Sequence, residues 1–144
     1  MLDRLLTGAY LNLAGAFTFR ARPVAFTQVL KRARKILFHP PVGAGEAWFA
    51  LPALRSLKYH YRNSELAILL PEKRNALLGD GIGEVIKYGR LTPLTRSFRM
   101  LERVLRARAF DLFLDLNPEP NRGSLVLSRL SGAEVRVGYA RKNG

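Results

Sequence analysis

The sequence predicts an α/β domain: a parallel sheet with helices on both faces. Three observations predict it. Short apolar runs alternate with helix-length amphipathic segments from Lys35 onward. The runs are almost continuously apolar, as strands covered on both faces are. Turn residues, chiefly Gly, Pro and Asn, punctuate nearly every junction.

The elements follow in order. Lys35 to His39 (KILFH) is a strand ended by Pro40-Pro41. The glycine-bearing loop Val42-Gly43-Ala44-Gly45 leads into a helix over Glu46–Tyr61. Phe49, Leu54 and Leu57 recur there at helical spacing, and Trp48 reads as a core residue. Pro52 lies inside this helix and predicts a bend or a short start. Glu65 to Leu70 (ELAILL) is a second strand, Glu72 to Leu78 a short helix, and Gly79 to Gly83 a turn. Val85 to Tyr88 is a third strand. Thr92-Pro93 reads as a capping threonine followed by a first-turn proline. The helix it opens runs to about Arg108, with Leu94, Phe98, Leu101 and Leu105 as its apolar stripe. Phe110 to Leu116 is the fourth strand, Arg122 to Leu130 a helix, and Val135 to Tyr139 the last strand.

The chain has 144 residues, a length suited to one domain with a substantial core. Hydrophobic residues make up 48%, which argues against wholesale disorder. The absence of cysteine excludes disulfides, thiolate zinc sites and cysteine nucleophiles. His39 and His60 are the only histidines, too few for a histidine-rich metal site. Lysines and arginines number 24 against 11 acidic residues, a net charge of +13. Such a balance implies an anionic partner.

Residues 1–34 read as an arm before a domain of residues 35–144. From Leu5 to Phe19 no charge appears, and basic residues follow. Fifteen residues fall short of the roughly 20 that span a bilayer. Asp3 precedes the run and no clean cleavage site follows it, which argues against a secretory signal. A helix on an anionic membrane surface and a helix docked on this protein or on a partner both fit.

In an open parallel sheet, ligands sit beyond the carboxyl ends of the strands. The loops Pro40–Glu46 and Asn117–Gly123 both fall there, and they share a crevice if their strands are neighbours. Gly43 and Gly45 permit close approach of backbone to ligand. The pattern is neither G-x-G-x-x-G nor a P-loop. Glu46 is either a dipole-complementing residue of the helix start or a general base at the crevice mouth. Arg122, a cation at another helix start, invites a compensating anion. Asp115 ends a strand, where it bonds a sugar hydroxyl or caps the loop. His39 reads as a loop hydrogen-bonder. Arg96, Arg99, Arg103 and Arg106 form one stripe, either solvated or facing phosphates, as an anionic membrane surface would present them.

Gly45-Glu46-Ala47-Trp48-Phe49-Ala50-Leu51-Pro52-Ala53-Leu54-Arg55-Ser56-Leu57 resembles the opening of the family-nine glycosyltransferases, the lipopolysaccharide heptosyltransferases. These begin with an apolar strand, a loop ending Gly-Asp and a helix carrying Leu-Pro-Ala-Leu-Arg-Ala-Leu. Ala67–Pro71, Val85–Tyr88, Phe110–Leu116, Leu125–Gly132 and Arg136–Tyr139 continue the likeness, which spans about Lys35 to Ala140. The resemblance implies a GT-B enzyme of two Rossmann-like halves, of which this chain is the acceptor-binding one. The acceptor is then a lipid-linked glycan at the inner face of a bacterial membrane. The donor, a nucleotide sugar such as an ADP-sugar, belongs to a second half after residue 144. The family's loop aspartate, the base of an inverting transfer, maps onto Glu46, which is longer by one methylene. Its basic residue at the later helix start maps onto Arg122, with Asn117 nearby as a further substrate contact.

The expected function is therefore the acceptor half of a heptosyltransferase-like enzyme, cytoplasmic and peripheral on the membrane, with no metal. The alternative is a non-catalytic glycosyltransferase-like interaction or scaffold module, docked through residues 1–34. A nucleic-acid binder ranks last, since no nucleic-acid motif accompanies the charge.

Overall fold

The computed structural model describes residues 26–41, 43–74, 81–119 and 121–138, and within them every side chain but those of Phe26, Ala44, Glu46 and Ala47. The expectations for residues 1–25, most of the Glu72–Leu78 helix, Gly79, Asp80 and Tyr139 lie outside the described residues.

The elements are α1 (Phe26–Arg32), β1 (Lys35–His39), α2 (Ala44–His60), β2 (Glu65–Pro71), β3 (Glu84–Tyr88), α3 (Arg96–Arg108), β4 (Leu112–Asp115), α4 (Arg122–Leu130) and β5 (Val135–Val137). The five strands form one wholly parallel sheet in the order β3-β2-β1-β4-β5. This is a Rossmann-like α/β half-domain, with the strand order reversing direction at β1.

The alternation of side chains along each strand sorts the core into two clusters. Ile36 and Phe38 of β1 join Leu66, Ile68 and Leu70 of β2 on one face, beneath Leu30 of α1 and Leu51 and Leu54 of α2. Leu37, Ala67, Leu69 and Phe113 point to the other face. Phe98, Leu101 and Leu105 of α3 and Val126, Leu127 and Leu130 of α4 cover them there. Thus α2 and α3 lie on opposite sides of the sheet. Each fully buried Leu or Phe contributes roughly 1.5–3 kcal/mol by leaving water. Leu30 and Ala33 belong to this core, so it reaches back into the segment read as an arm.

At the amino edge of the sheet, Asp111 accepts the Arg34 N–H at 2.8 Å and the Lys35 N–H at 2.9 Å. One carboxylate thereby ties the entry of β1 to that of β4.

Several local expectations need correction. Helix α3 starts at Arg96, not at Thr92-Pro93, because Thr95 is its N-cap: Oγ1 accepts the Phe98 N–H at 3.3 Å. The Thr95 hydroxyl also donates to the Thr92 carbonyl at 2.8 Å. Leu94 precedes that cap at φ 71° and is 75% exposed, so it leaves the apolar stripe. Trp48 does not fill the core but is 51% exposed, and Phe49 is 85% exposed. The reason is helical phase: Leu51 and Leu54 face the sheet, which turns residues 48 and 49 outward. Helix α2 begins two residues before Glu46 and continues through Pro52, whose ring is on its exposed side. Strands β4 and β5 are shorter than the apolar runs that encode them.

Candidate functional site

Strand order sets where a ligand crevice is expected in such a sheet. β1 and β4 are direct neighbours, paired from Ile36↔Leu112 to His39↔Asp115. The connections leaving their carboxyl ends run to α2 and α4, respectively, at the point where the sheet order reverses. Glu46 stands in the first turn of α2, and Arg122 is the first residue of α4. One edge of the sheet thus brings together the two helix starts that the sequence singled out. Arg122 is exposed and has no ion-pair partner among the described residues.

The helix starts differ in how they are held. Asn121 caps α4, its Oδ1 accepting the Ser124 N–H at 2.8 Å. Gly43 occupies the N-cap of α2 and offers no side chain, so first-turn N–H groups there lack a side-chain cap. Gly43 has an ordinary extended conformation, φ −62° and ψ 142°. Gly45 is exposed, with open space where a Cβ would stand. Neither glycine is demanded by backbone strain.

Beneath the crevice lies a polar cluster in an otherwise apolar surrounding. His39, Asn117 and Ser124 are buried, at 1%, 4% and 3% exposure, and the Asp115 side chain is at 13%. His39 Nδ1 is 3.1 Å from Asp115 Oδ1, and its Nε2 is 3.1 Å from the Tyr88 hydroxyl. The Asn117 side-chain amide donates to Asp115 Oδ1 at 2.6 Å and to Ser124 Oγ at 3.2 Å. The Asn117 backbone N–H reaches the same carboxylate oxygen at 3.2 Å. The imidazole stacks on Phe113, with ring centroids 6.4 Å apart.

Burial alone would raise the Asp115 carboxyl. Hydrogen bonds from His39, Asn117 and Ser124 outweigh it and hold the group below the usual carboxylate range. Asp115 is therefore an ionised acceptor at neutral pH, and His39 Nδ1 lies between it and the Asn117 side-chain amide, which is 3.0 Å away. Burial, reinforced by the Asp115 charge and partly offset by Arg74, pushes the Tyr88 phenol up to about 12.

Ser124, His39 and Asp115 do not form a nucleophilic triad. Such a triad engages serine at one imidazole nitrogen and the carboxylate at the other. Here both contacts fall on Nδ1, with Ser124 Oγ at 3.3 Å, and Tyr88 occupies Nε2. The cluster is a brace. It ties the ends of β1, β3 and β4 to the first turn of α4 and so fixes the crevice floor.

Of the sequence-based candidates, Gly43, Gly45, Glu46 and Arg122 lie at the crevice edge. Asn117 lies under it, its amide directed into the brace. Tyr88 was not singled out from the sequence; the aromatic ending a strand gave no sign of its histidine partner. The arginine stripe is on α3, across the sheet from α2. Arg96, Arg99 and Arg103 are exposed and unpaired among the described residues, whereas Arg106 bonds Glu102 one turn earlier at 3.1 Å. Among the described residues, no group of three potential ligands could hold a metal ion, and no helix is long and apolar enough to cross a membrane.

No family model matches the chain, and neither a curated protein nor a solved structure matches it.

Proposed function

We propose that this domain binds the acceptor of an inverting glycosyl transfer, a lipid-linked glycan, in the crevice above β1 and β4. The observation that carries this reading is the adjacency of β1 and β4, which brings Glu46 and Arg122 to one edge. The likeness of residues 45–57 to the opening of the heptosyltransferases supports it.

In this reading Glu46 is the general base. It removes the proton from the acceptor hydroxyl as that oxygen bonds to the anomeric carbon, and the bond to the nucleotide breaks on the opposite side. Its backbone stands in the first turn of α2, beyond the carboxyl end of β1. Arg122 pairs with an acceptor phosphate or carboxylate. Asn117 acts as a positioning residue through Asp115. The ADP-sugar or related donor would be held by a second Rossmann-like half. The protein would work at the cytoplasmic face of a bacterial membrane.

Glu46→Gln keeps the shape and removes the base. Supplied with a donor-binding half and nucleotide sugar, this variant is expected to lose at least about 100-fold in turnover at unchanged acceptor affinity. Undiminished turnover would overturn the assignment. A second reading, a glycosyltransferase-like interaction module without catalysis, is favoured by the outward Trp48 and Phe49. It predicts a protein partner and no acceptor binding.

A further inference from the structure

Helix α2 carries more apolar surface outward than a helix covering one face of a sheet requires. Phe49 is 85%, Tyr59 64% and Trp48 51% exposed, with the exposed Pro52 and Ala53 between them. Trp48 and Pro52, and likewise Phe49 and Ala53, are four apart, and the exposed polar Ser56 links them at spacings of three and four to Tyr59 on the same outer side of the helix. Single exposed apolar residues need no explanation, but three exposed aromatics on one side of a helix mark an interaction surface.

The flanks of the stripe say what it meets. Arg55 is exposed and unpaired among the described residues, and Lys58 is half-buried beside it. The Arg62 guanidinium stacks over the Tyr59 ring at 4.4 Å, keeping the ring outward. Lys31 and Arg32 of α1 are exposed on the same side of the sheet. Tryptophan and tyrosine favour the boundary between headgroups and acyl chains, and lysine and arginine favour anionic headgroups. A second copy of the chain fits poorly, because two such cationic faces, on molecules of net charge +13, repel.

The opposite placement of α2 and α3 makes this a choice. A flat bilayer touches one side of the sheet only. The α3 side offers arginines around Met100 and Val104 but no exposed aromatic among the described residues. The α2 side offers aromatics and begins at the crevice: from Glu46 to Phe49 the helix rises only about 4.5 Å.

We infer that the α2 face bearing Trp48, Phe49 and Tyr59 is the surface on which this domain sits on an anionic bilayer, with the arginine stripe of α3 turned away from it. The inference rests on the reading above in one respect: docking here sets the crevice at headgroup level, where a lipid-linked acceptor presents its sugar.

Trp48 is the only tryptophan, so its emission reports this face directly. The full chain is mixed with vesicles of phosphatidylethanolamine and phosphatidylglycerol, and with phosphatidylcholine vesicles as the uncharged control. Binding to the anionic vesicles is expected to blue-shift the emission and to expose it to quenching by brominated lipid. Phe49→Ser should weaken partitioning roughly tenfold. Arg99→Gln with Arg103→Gln should change it by less than about threefold. Three results would overturn the inference: no binding to anionic vesicles, binding that leaves the emission unchanged, or emission already shifted in buffer and dependent on protein concentration. The last would mean that a second copy covers the face. Emission reads docking and not sugar recognition, so failure here is distinct from failure of the acceptor reading, which Arg122→Ala tests with soluble glycan.

Discussion

His39 and Asp115 hold paired positions on neighbouring strands, and their side chains meet at 3.1 Å where the sheet reverses direction. The contact joins the two strands whose following helices frame the crevice. Asn117, Ser124 and Tyr88 complete it, so the crevice floor is polar, buried and internally satisfied.

Asn117→Ala is expected to destabilise the domain by about 1–3 kcal/mol. It deletes the 2.6 Å bond to Asp115 and leaves a half-buried carboxylate short of a donor. Urea unfolding of the variant against the wild-type protein measures it. A change under about 0.5 kcal/mol would show that the amide is not part of a brace.

Acid titration should reveal Asp115. Its carboxyl is held below its ordinary value of 3.8, so its contribution to stability is present above that value and is lost as pH falls through the lower folded one. Asp115→Asn is expected to be less stable at neutral pH and to show a flatter acid limb. Parallel stability curves between about pH 6 and 2 would contradict this.

Tyr88 sets the alkaline limb. Its folded pKa is raised from 10.0 to about 12, so its contribution is complete below 10 and is lost as pH rises towards 12. Tyr88→Phe should flatten the stability curve over that interval. Phenolate absorbance should in turn show one tyrosine that ionises late in the folded wild type and is missing in the variant.

Two apolar truncations should differ sharply. Leu105→Ala empties a fully buried site under α3 and is expected to cost about 2–5 kcal/mol. Phe49→Ser removes a larger side chain that is 85% exposed and should change stability by less than about 0.5 kcal/mol. Thermal unfolding of the pair checks both. A large loss at Phe49 would mean that the residue is covered within the isolated chain.

The sheet was legible because covered parallel strands leave continuous apolar runs, as in LAILL and FDLFLDL. The α4 boundaries were legible because Asn121 caps one end and Ser131-Gly132 marks the other. The phase of α2 was not, because its apolar residues surround the helix and no single periodicity selects Leu51 and Leu54 over Trp48 and Phe49. Thr92-Pro93 competed with Thr95 for the start of α3, and packing of Phe98 and Leu101 decided between them. For the site, the crevice loops were visible as segments after strands. The brace was not, because His39, Tyr88 and Asp115 are 27 to 76 residues apart and meet only through strand order.

The crevice over β1 and β4 is proposed to receive a glycan bearing an anionic group. Amide chemical shifts of the labelled full chain, followed while the deacylated sugar phosphate of a truncated lipopolysaccharide is added, test it most directly. Shifts concentrated in residues 43–46 and 117–124, and abolished in Arg122→Ala, are expected. Shifts centred on the arginines of α3, or none at all, would contradict it.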